Sequence, residues 1–383
     1  MPLPPFTFGP SGQILFGRGR AAEAPALVAG MARRVVLVHG RDPGRAGWLI
    51  EALTEAGLGV TALACPGEPT LPLLERALAT AREAAPEAVV ALGGGAAIDF
   101  GKALAALIPQ ETAPLDHLEV VGRGLPLARD PLPCLALPTT SGTGAEVTKN
   151  AVVGVPEHRR KVSLRDARMV PRVAIVDPAL TDGLPRAVTL ASGLDALTQV
   201  VEPYLSHRAN PFTDALCRAA IPRALPALLA LTEREDADAR DAMALVSLSG
   251  GLALAHAGLG AVHGFAGPIG GRTEAAHGAI CGALLAPVLE ALSGKAEAGS
   301  ELARRLDEVS GWLAAALDVA PAEAFDALAH AAHAAGLPRL SALGVRPEHH
   351  EPLAEDARAS SSMKASPVTF TTGELVEILR AAG

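Results

Sequence analysis

Short runs of uninterrupted apolar residues alternate with amphipathic stretches along the first half of the chain. Residues 33–40 (RRVVLVHG), 60–65 (VTALAC), 88–95 (AVVALGGG), 134–142 (CLALPTTSG) and 173–178 (VAIVDP) read as strands. Residues 48–58, 71–84 and 96–107 read as helices between them. Strands without polar alternation, separated by helices, belong to a parallel sheet covered on both faces. Beyond Pro178 the β-type runs stop, and Ala- and Leu-rich helical segments continue to Gly383. The pattern predicts an α/β domain over residues 1–180 and an all-α domain over 181–383. Residues 242–271 contain no Asp, Glu, Lys or Arg, yet eight glycines, two histidines and a proline break them up. A membrane span needs about 20 mostly apolar residues in one helix. This stretch is therefore expected to be a buried helix followed by a glycine-rich active-site loop.

Composition narrows the possible partners. Hydrophobic residues make up 49% of the 383 and charged residues 19%, ample for a packed core. Lys+Arg total 33 against 41 Asp+Glu, a net charge of -8, and aromatic residues are only 3%. Neither the charge nor the aromatic content suits phosphate neutralisation or base stacking, so no nucleic acid partner is expected. The four cysteines (Cys65, Cys134, Cys217, Cys281) form no CxxC pair and read as buried thiols of a reducing compartment. With no continuous apolar run near the N-terminus, a cytoplasmic protein with no membrane partner is expected.

Candidate chemistry gathers at three places. In ALGGGAAIDFGKAL (91–104) a strand meets a helix through Gly93, Gly94 and Gly95. Such a turn lets backbone approach an anion, and the helix N-terminus offers unpaired N–H groups; the same residues also serve as a plain tight turn. Asp99 and Lys102 are three apart, either a solvated pair or a tie that holds this turn and meets cofactor. PTTSGTGAEVT (138–148) follows a second strand, and its hydroxyls either cap a helix or line the carboxyl end of the sheet, where open α/β folds bind ligands. Asp195 and Gln199 lie one helical turn apart, and His263 and His277 flank the expected loop. Two imidazoles and a carboxylate suit Zn²⁺ or Fe²⁺ if they converge. Core packing for the histidines and capping for Asp195 are the alternatives.

The motifs GGGAAID, PTTSGTGAEVT, GLDALTQVVEPYLSHRANPFTDAL, VHGFAGPIGG and AAHGAICGALLAPV, in this order, resemble the iron-containing (group III) alcohol dehydrogenase family over essentially the whole chain. The resemblance implies a Rossmann-like, dinucleotide-binding α/β domain followed by a helical domain, an architecture like that of dehydroquinate synthase. It implies metal-dependent, NAD(P)-linked oxidation of alcohols or reduction of aldehydes and ketones. Carried over by motif, Asp195, His263 and His277 match the metal ligands. Gly94, Gly95 and Asp99 match the pyrophosphate turn, and Thr139, Thr140 and Thr143 the second cofactor loop. Lys161 matches a lysine near the nicotinamide ribose.

This chain departs from the family pattern at two positions, with Gln199 and Gly267 where histidines are usual. An amide oxygen is a poor substitute for imidazole on Fe²⁺, so Fe²⁺, Zn²⁺ or no metal all stay open. His256 is available to move protons, or is a core histidine. At the expected discriminating position Gly40 carries no acid and is followed by Arg41, which tilts the reading towards NADPH, with NADH still open. The alternative is a metal-free reductase of oxo acids resembling maleylacetate reductases. Leu259, Val262, Phe265 and Ile269 suggest an apolar pocket for a small alcohol or aldehyde. A homodimer is expected, paired through strands near residues 7–17.

Overall fold

The structure, a computed structural model, describes residues 6–9 and 12–383. Among them, residues 12–140 and 144–182 form one compact unit, and residues 6–9, 141–143 and 183–383 form another.

The first unit holds β1 (Gln13–Phe16), α1 (Ala24–Ala29), β2 (Arg34–His39), α2 (Gly47–Glu55), β3 (Gly59–Ala64), α3 (Leu71–Glu83), β4 (Ala88–Gly93) and α4 (Gly95–Leu107). It continues with a single turn, α5 (Pro114–His117), then β5 (Cys134–Pro138), β6 (Asn150–Val155), β7 (Arg160–Arg165) and β8 (Val173–Val176). Six strands form one parallel sheet in the order β1-β8-β5-β4-β2-β3. Alternate residues of β2 serve opposite cores: Val36 and Val38 pack with α3 and α4, while Val35 and Leu37 pack with α1 and α2. Burial on both faces is why the central strands read as continuous apolar runs. Helix α3 starts where Thr70 accepts from the Leu73 N–H, with Pro72 in the first turn.

Two strand features escape the hydrophobic pattern. β1, in the stretch expected to pair between subunits, lies parallel to β8 within the same chain at the sheet edge; Pro10 and Ser11 of that stretch lie outside the described residues. β6 and β7 form an antiparallel hairpin over residues assigned no strand from sequence. Its turn uses Arg159 at φ 49° rather than glycine, so the usual hairpin signal is missing.

The second unit contains α6 (Arg186–Leu205), α7 (Pro211–Glu233), α8 (Ala237–Ala257), α9 (Ala261–Arg272), α10 (His277–Lys295), α11 (Glu301–Leu317), α12 (Ala324–Ala334), α13 (His350–Ala359) and α14 (Thr372–Ala381). These share one apolar core. α7 and α10 are long and apolar enough to cross a membrane, yet Ile221, Leu225, Leu228, Ile280, Leu284 and Leu289 are buried in this core. The expected loop after α8 is corrected: the break spans only 258–260, and α9 resumes at an angle of 100°. Gly258, at φ 73°, makes that corner. Because α9 is helical, Val262, Phe265 and Ile269 are wound into the core of the helical unit.

One buried acid in the first unit has a measurable consequence. Glu146, in the turn Ala145–Val147, is 2% exposed. Burial raises its carboxyl to about 7, which its own backbone N–H and Lys102 only partly offset. A raised folded value means that its contribution is full below the ordinary carboxylate range and is lost as pH climbs through about 7. Glu146→Gln should therefore match the parent in thermal melts at about pH 5 and raise Tm by about 2–4 °C at about pH 8. An equal shift at both pH values would show that burial of the charge is not the cause.

Candidate metal centre and cofactor turn

α6 is almost wholly buried and carries three polar side chains at i, i+4 and i+7: Asp195, Gln199 and Glu202. The spacing puts them along one stripe of the helix. α10 packs along α6 because glycines face it. A Cβ at Gly278 would lie 2.1 Å from the Ala191 carbonyl oxygen, and one at Gly282 would lie 2.6 Å from Leu194 Cδ1. Directly before each of these glycines, one turn apart, stand His277 and Cys281. α9 supplies His263 from its first turn.

Asp195, His263, His277 and Cys281 offer donor atoms that all lie within 4.8 Å of one another. Asp195 Oδ1 stands 3.4 Å from His263 Nε2 and 3.7 Å from His277 Nε2. Cys281 Sγ stands 3.8 Å and 3.6 Å from the same two nitrogens. Asp195 Oδ1 has no hydrogen-bond donor although its side chain is only 3% exposed. A buried carboxylate oxygen left without a donor is costly, and a cation between these four atoms would satisfy it.

The electrostatics point the same way. Burial opposes charge on His263, yet the Cys281 thiol and the Asp195 and Glu202 carboxylates together hold its imidazolium well above the ordinary range. Burial also opposes charge on His277, but Cys281 and Asp195 raise it to about 9. Burial would push Asp195 up, and the facing imidazoles of His277 and His263 hold it below the usual carboxylate range. The cluster demands positive charge, and a metal ion would take the place of those protons.

Glu202, which the motifs did not single out, organises the centre. Its Oε2 lies 2.6 Å from His263 Nδ1, and its Oε1 accepts from the Val262 N–H at 2.7 Å. The N-cap of α9 is Gly260, which has no side chain, so a carboxylate from α6 caps the helix instead. With Nδ1–H directed to Glu202, the Nε2 lone pair of His263 is left for a metal. The i, i+7 spacing from Asp195 was the available signal for Glu202, and the i, i+4 spacing from His277 was the one for Cys281.

Other residues singled out from sequence make the following contacts. Gln199 donates its amide N–H to the Gly142 carbonyl at 2.6 Å, and the fourth member of the cluster is Cys281. Thr143 belongs with Gly142 to the helical unit. The His256 ring stacks on Phe8 at 4.0 Å.

In the α/β unit, Gly40 follows β2, and Gly94 and Gly95 follow β4. β3 lies to one side of β2 and β4 to the other, so the carboxyl ends of β2 and β4 form a topological switch point. Gly94 is the N-cap of α4 and supplies no side-chain cap. A Cβ there would stand 3.2 Å from Thr140 Oγ1, which leaves a cradle that a phosphate could enter on the N–H groups of α4. The Thr139 N–H is bonded to the Gly93 carbonyl at 2.9 Å. Lys102 is fully buried and lies 2.9 Å from Asp99 Oδ1, while Asp99 Oδ2 accepts from the Val152 N–H at 2.9 Å. Lys102 also donates to Ala145 O and Thr148 Oγ1. This pair is a tie between α4 and the segment leading into β6, not a solvated pair. Arg41 is exposed and donates from Nε to the Pro66 carbonyl at 3.0 Å. Lys161, on β7, lies 3.4 Å from Glu68.

Comparison with known proteins gives a consistent picture. A family profile described as "Iron-containing alcohol dehydrogenase" matches residues 10–178, and one described as "Fe-containing alcohol dehydrogenase family, C-terminal" matches residues 189–383. Probable alcohol dehydrogenase EutG of Salmonella typhimurium is 34% identical over 347 residues, 88% of this chain and 83% of that protein. Alcohol dehydrogenase 4 of Saccharomyces cerevisiae is 32% identical over 388 residues, 99% of this chain and 97% of that one. The crystal structure of an archaeal halo-thermophilic alcohol dehydrogenase from a Red Sea brine pool superposes with a TM-score of 0.89 at 26% identity, covering 100% of both chains.

The role given to Glu202 can be measured directly. Glu202→Gln keeps the shape but removes the charge that orients His263, and should weaken metal affinity by about 10–100-fold in a chelator competition titration. Unchanged affinity would show that His263 is held by packing alone.

Proposed function

The chain belongs to the iron-containing alcohol dehydrogenase family, and from that premise we propose a metal-dependent, NAD(P)-linked enzyme that interconverts small alcohols with aldehydes or ketones. The observation that carries this reading is the convergence of Asp195, His263 and His277 around an unsatisfied carboxylate oxygen. These side chains would hold the divalent ion. Bound there, it supplies Lewis acidity that polarises the substrate oxygen, and the nicotinamide supplies or accepts the hydride.

The chain's own residues do the positioning. Glu202 presents His263 Nε2, and the burial of Asp195 and His263 keeps bulk water from competing for the ion. Gly94, Gly95 and the first N–H groups of α4 would take the pyrophosphate, with Thr139 and Thr140 beside them and Thr143 in the same loop. Asp99 acts on that turn through Lys102, by fixing α4. Lys161 is the expected partner of the nicotinamide ribose. For the proton on the substrate oxygen, His256 and ordered water are the proposed donors. The centre can hold an ion, which favours the metal-dependent reading over a metal-free oxo-acid reductase.

Gly40, without a carboxylate to repel a 2′-phosphate, and Arg41, anchored next to it, support a preference for NADPH. The four free, buried cysteines suit a cytoplasmic enzyme. The edge position of β1 suits strand pairing in a homodimer.

Chelation should abolish turnover, and Zn²⁺ or Fe²⁺ should restore it. His263→Ala and His277→Ala should lose both metal content and activity while melting cooperatively. Normal turnover in either variant rejects the ligand assignment. Separately, Arg41→Ala should lower kcat/KM for NADPH by about 10-fold or more, the worth of one charge-assisted hydrogen bond, and leave NADH unaffected. Equal losses with both cofactors would reject a 2′-phosphate role.

A further inference from the structure

In the pattern that the sequence resembles, the fourth metal ligand is a histidine one turn after the aspartate. Here that position is Gln199, whose amide N–H is spent on the Gly142 carbonyl at 2.6 Å. A further donor comes from a different helix. Cys281, on α10, is fully buried, and its sulfur faces both imidazole Nε2 atoms at 3.6 and 3.8 Å. Asp195 Oδ1, buried and without a donor, is aimed into the same space.

The separations are informative. With Zn–N and Zn–O near 2.0–2.1 Å and Zn–S near 2.3 Å, tetrahedral ligation separates N from O by about 3.3 Å and S from N by about 3.5 Å. The structure has 3.4 and 3.7 Å for N to O, and 3.6 and 3.8 Å for S to N. These four separations are each close to an edge of one tetrahedron, and the two remaining pairs lie within 4.8 Å. The glycines at 278 and 282 that let α10 settle onto α6 flank the cysteine and bring it to this distance.

We propose that Cys281 is the fourth metal ligand, as the thiolate, and that this carboxylate–imidazole–imidazole–thiolate set makes the centre selective for zinc over ferrous iron. The proposal rests on the reading that Asp195, His263 and His277 hold a divalent ion. A thiolate is a soft donor that zinc accepts readily, whereas the usual set of oxygen and imidazole donors is harder and suits Fe²⁺. The ion itself supplies the charge that keeps the sulfur deprotonated, so no separate base is needed. Cys65, Cys134 and Cys217 are buried away from any such cluster among the described residues.

The test replaces the native ion by Co²⁺, whose visible ligand-field bands report binding and whose near-ultraviolet sulfur-to-metal charge-transfer band reports a thiolate. The full-length parent should show both. Cys281→Ser and Cys281→Ala should keep the ligand-field bands and lose the charge-transfer band, and Cys65→Ser should keep both. Ligand-field bands without charge transfer in the parent, or charge transfer that survives in both Cys281 variants, would overturn the thiolate assignment and leave the metal centre standing. Absence of any Co²⁺ spectrum in the parent would overturn the metal reading and this proposal together. Under anaerobic dialysis against equal Zn²⁺ and Fe²⁺, elemental analysis should find a zinc-to-iron ratio severalfold higher in the parent than in Cys281→Ser. Equal ratios would overturn the selectivity.

Discussion

A carboxylate oxygen sealed inside a helical core, with no donor to satisfy it, is the constraint around which the second unit is arranged. Asp195 Oδ1 is surrounded by two imidazoles and a thiol. Burial raises the cost of any charge there, so the four groups are mutually tolerable only when positive charge sits among them. Protons on His263 and His277 would meet that demand, and a divalent cation would meet it in their place. The same arrangement that makes charge costly there makes the cluster a candidate site for an ion.

The helices that deliver the four donors are placed by ordinary packing and capping. Glycines at 278 and 282 allow α10 to approach α6 at backbone distance. The sharp corner at 258–260 turns α9 so that His263 enters from its first turn. Glu202 answers two needs with one carboxylate, capping α9 through the Val262 N–H and fixing the tautomer of His263. An orienting acid of this kind belongs to the metal chemistry as much as to the fold.

The α/β unit reaches its own site by a different route. The turn proposed for the pyrophosphate carries only glycines at 93–95 and would rely on backbone N–H groups at the start of α4, left open by Gly94. Rigidity comes from below, where the buried Lys102 joins Asp99 to the turn Ala145–Val147 and to Thr148. A site made of backbone depends on such a tie, because a small displacement of α4 would misdirect every donor at once.

What could be read from the chain alone was whatever depends on local order. Continuous apolar runs identified five strands of the parallel sheet: burial on both faces explains this for β2, β4, β5 and β8, while the edge strand β3 is apolar though only partly buried. The expected division into an α/β part and a helical part came from where the β-type runs stop, and motifs short enough to survive in one dimension offered Asp195, His263 and His277 as candidates. The β6–β7 hairpin was not legible, because its turn at Arg159 carries no glycine signal. α9 was mistaken for a loop, because glycine content speaks of weak intrinsic propensity while core packing around Phe265 overrides it. Tertiary structure alone decided that Cys281 joins the cluster, and that Glu202 stands behind His263. Ligand sets are defined by distances between different helices, and those distances come from how α6, α9 and α10 pack, which no spacing within a single helix records.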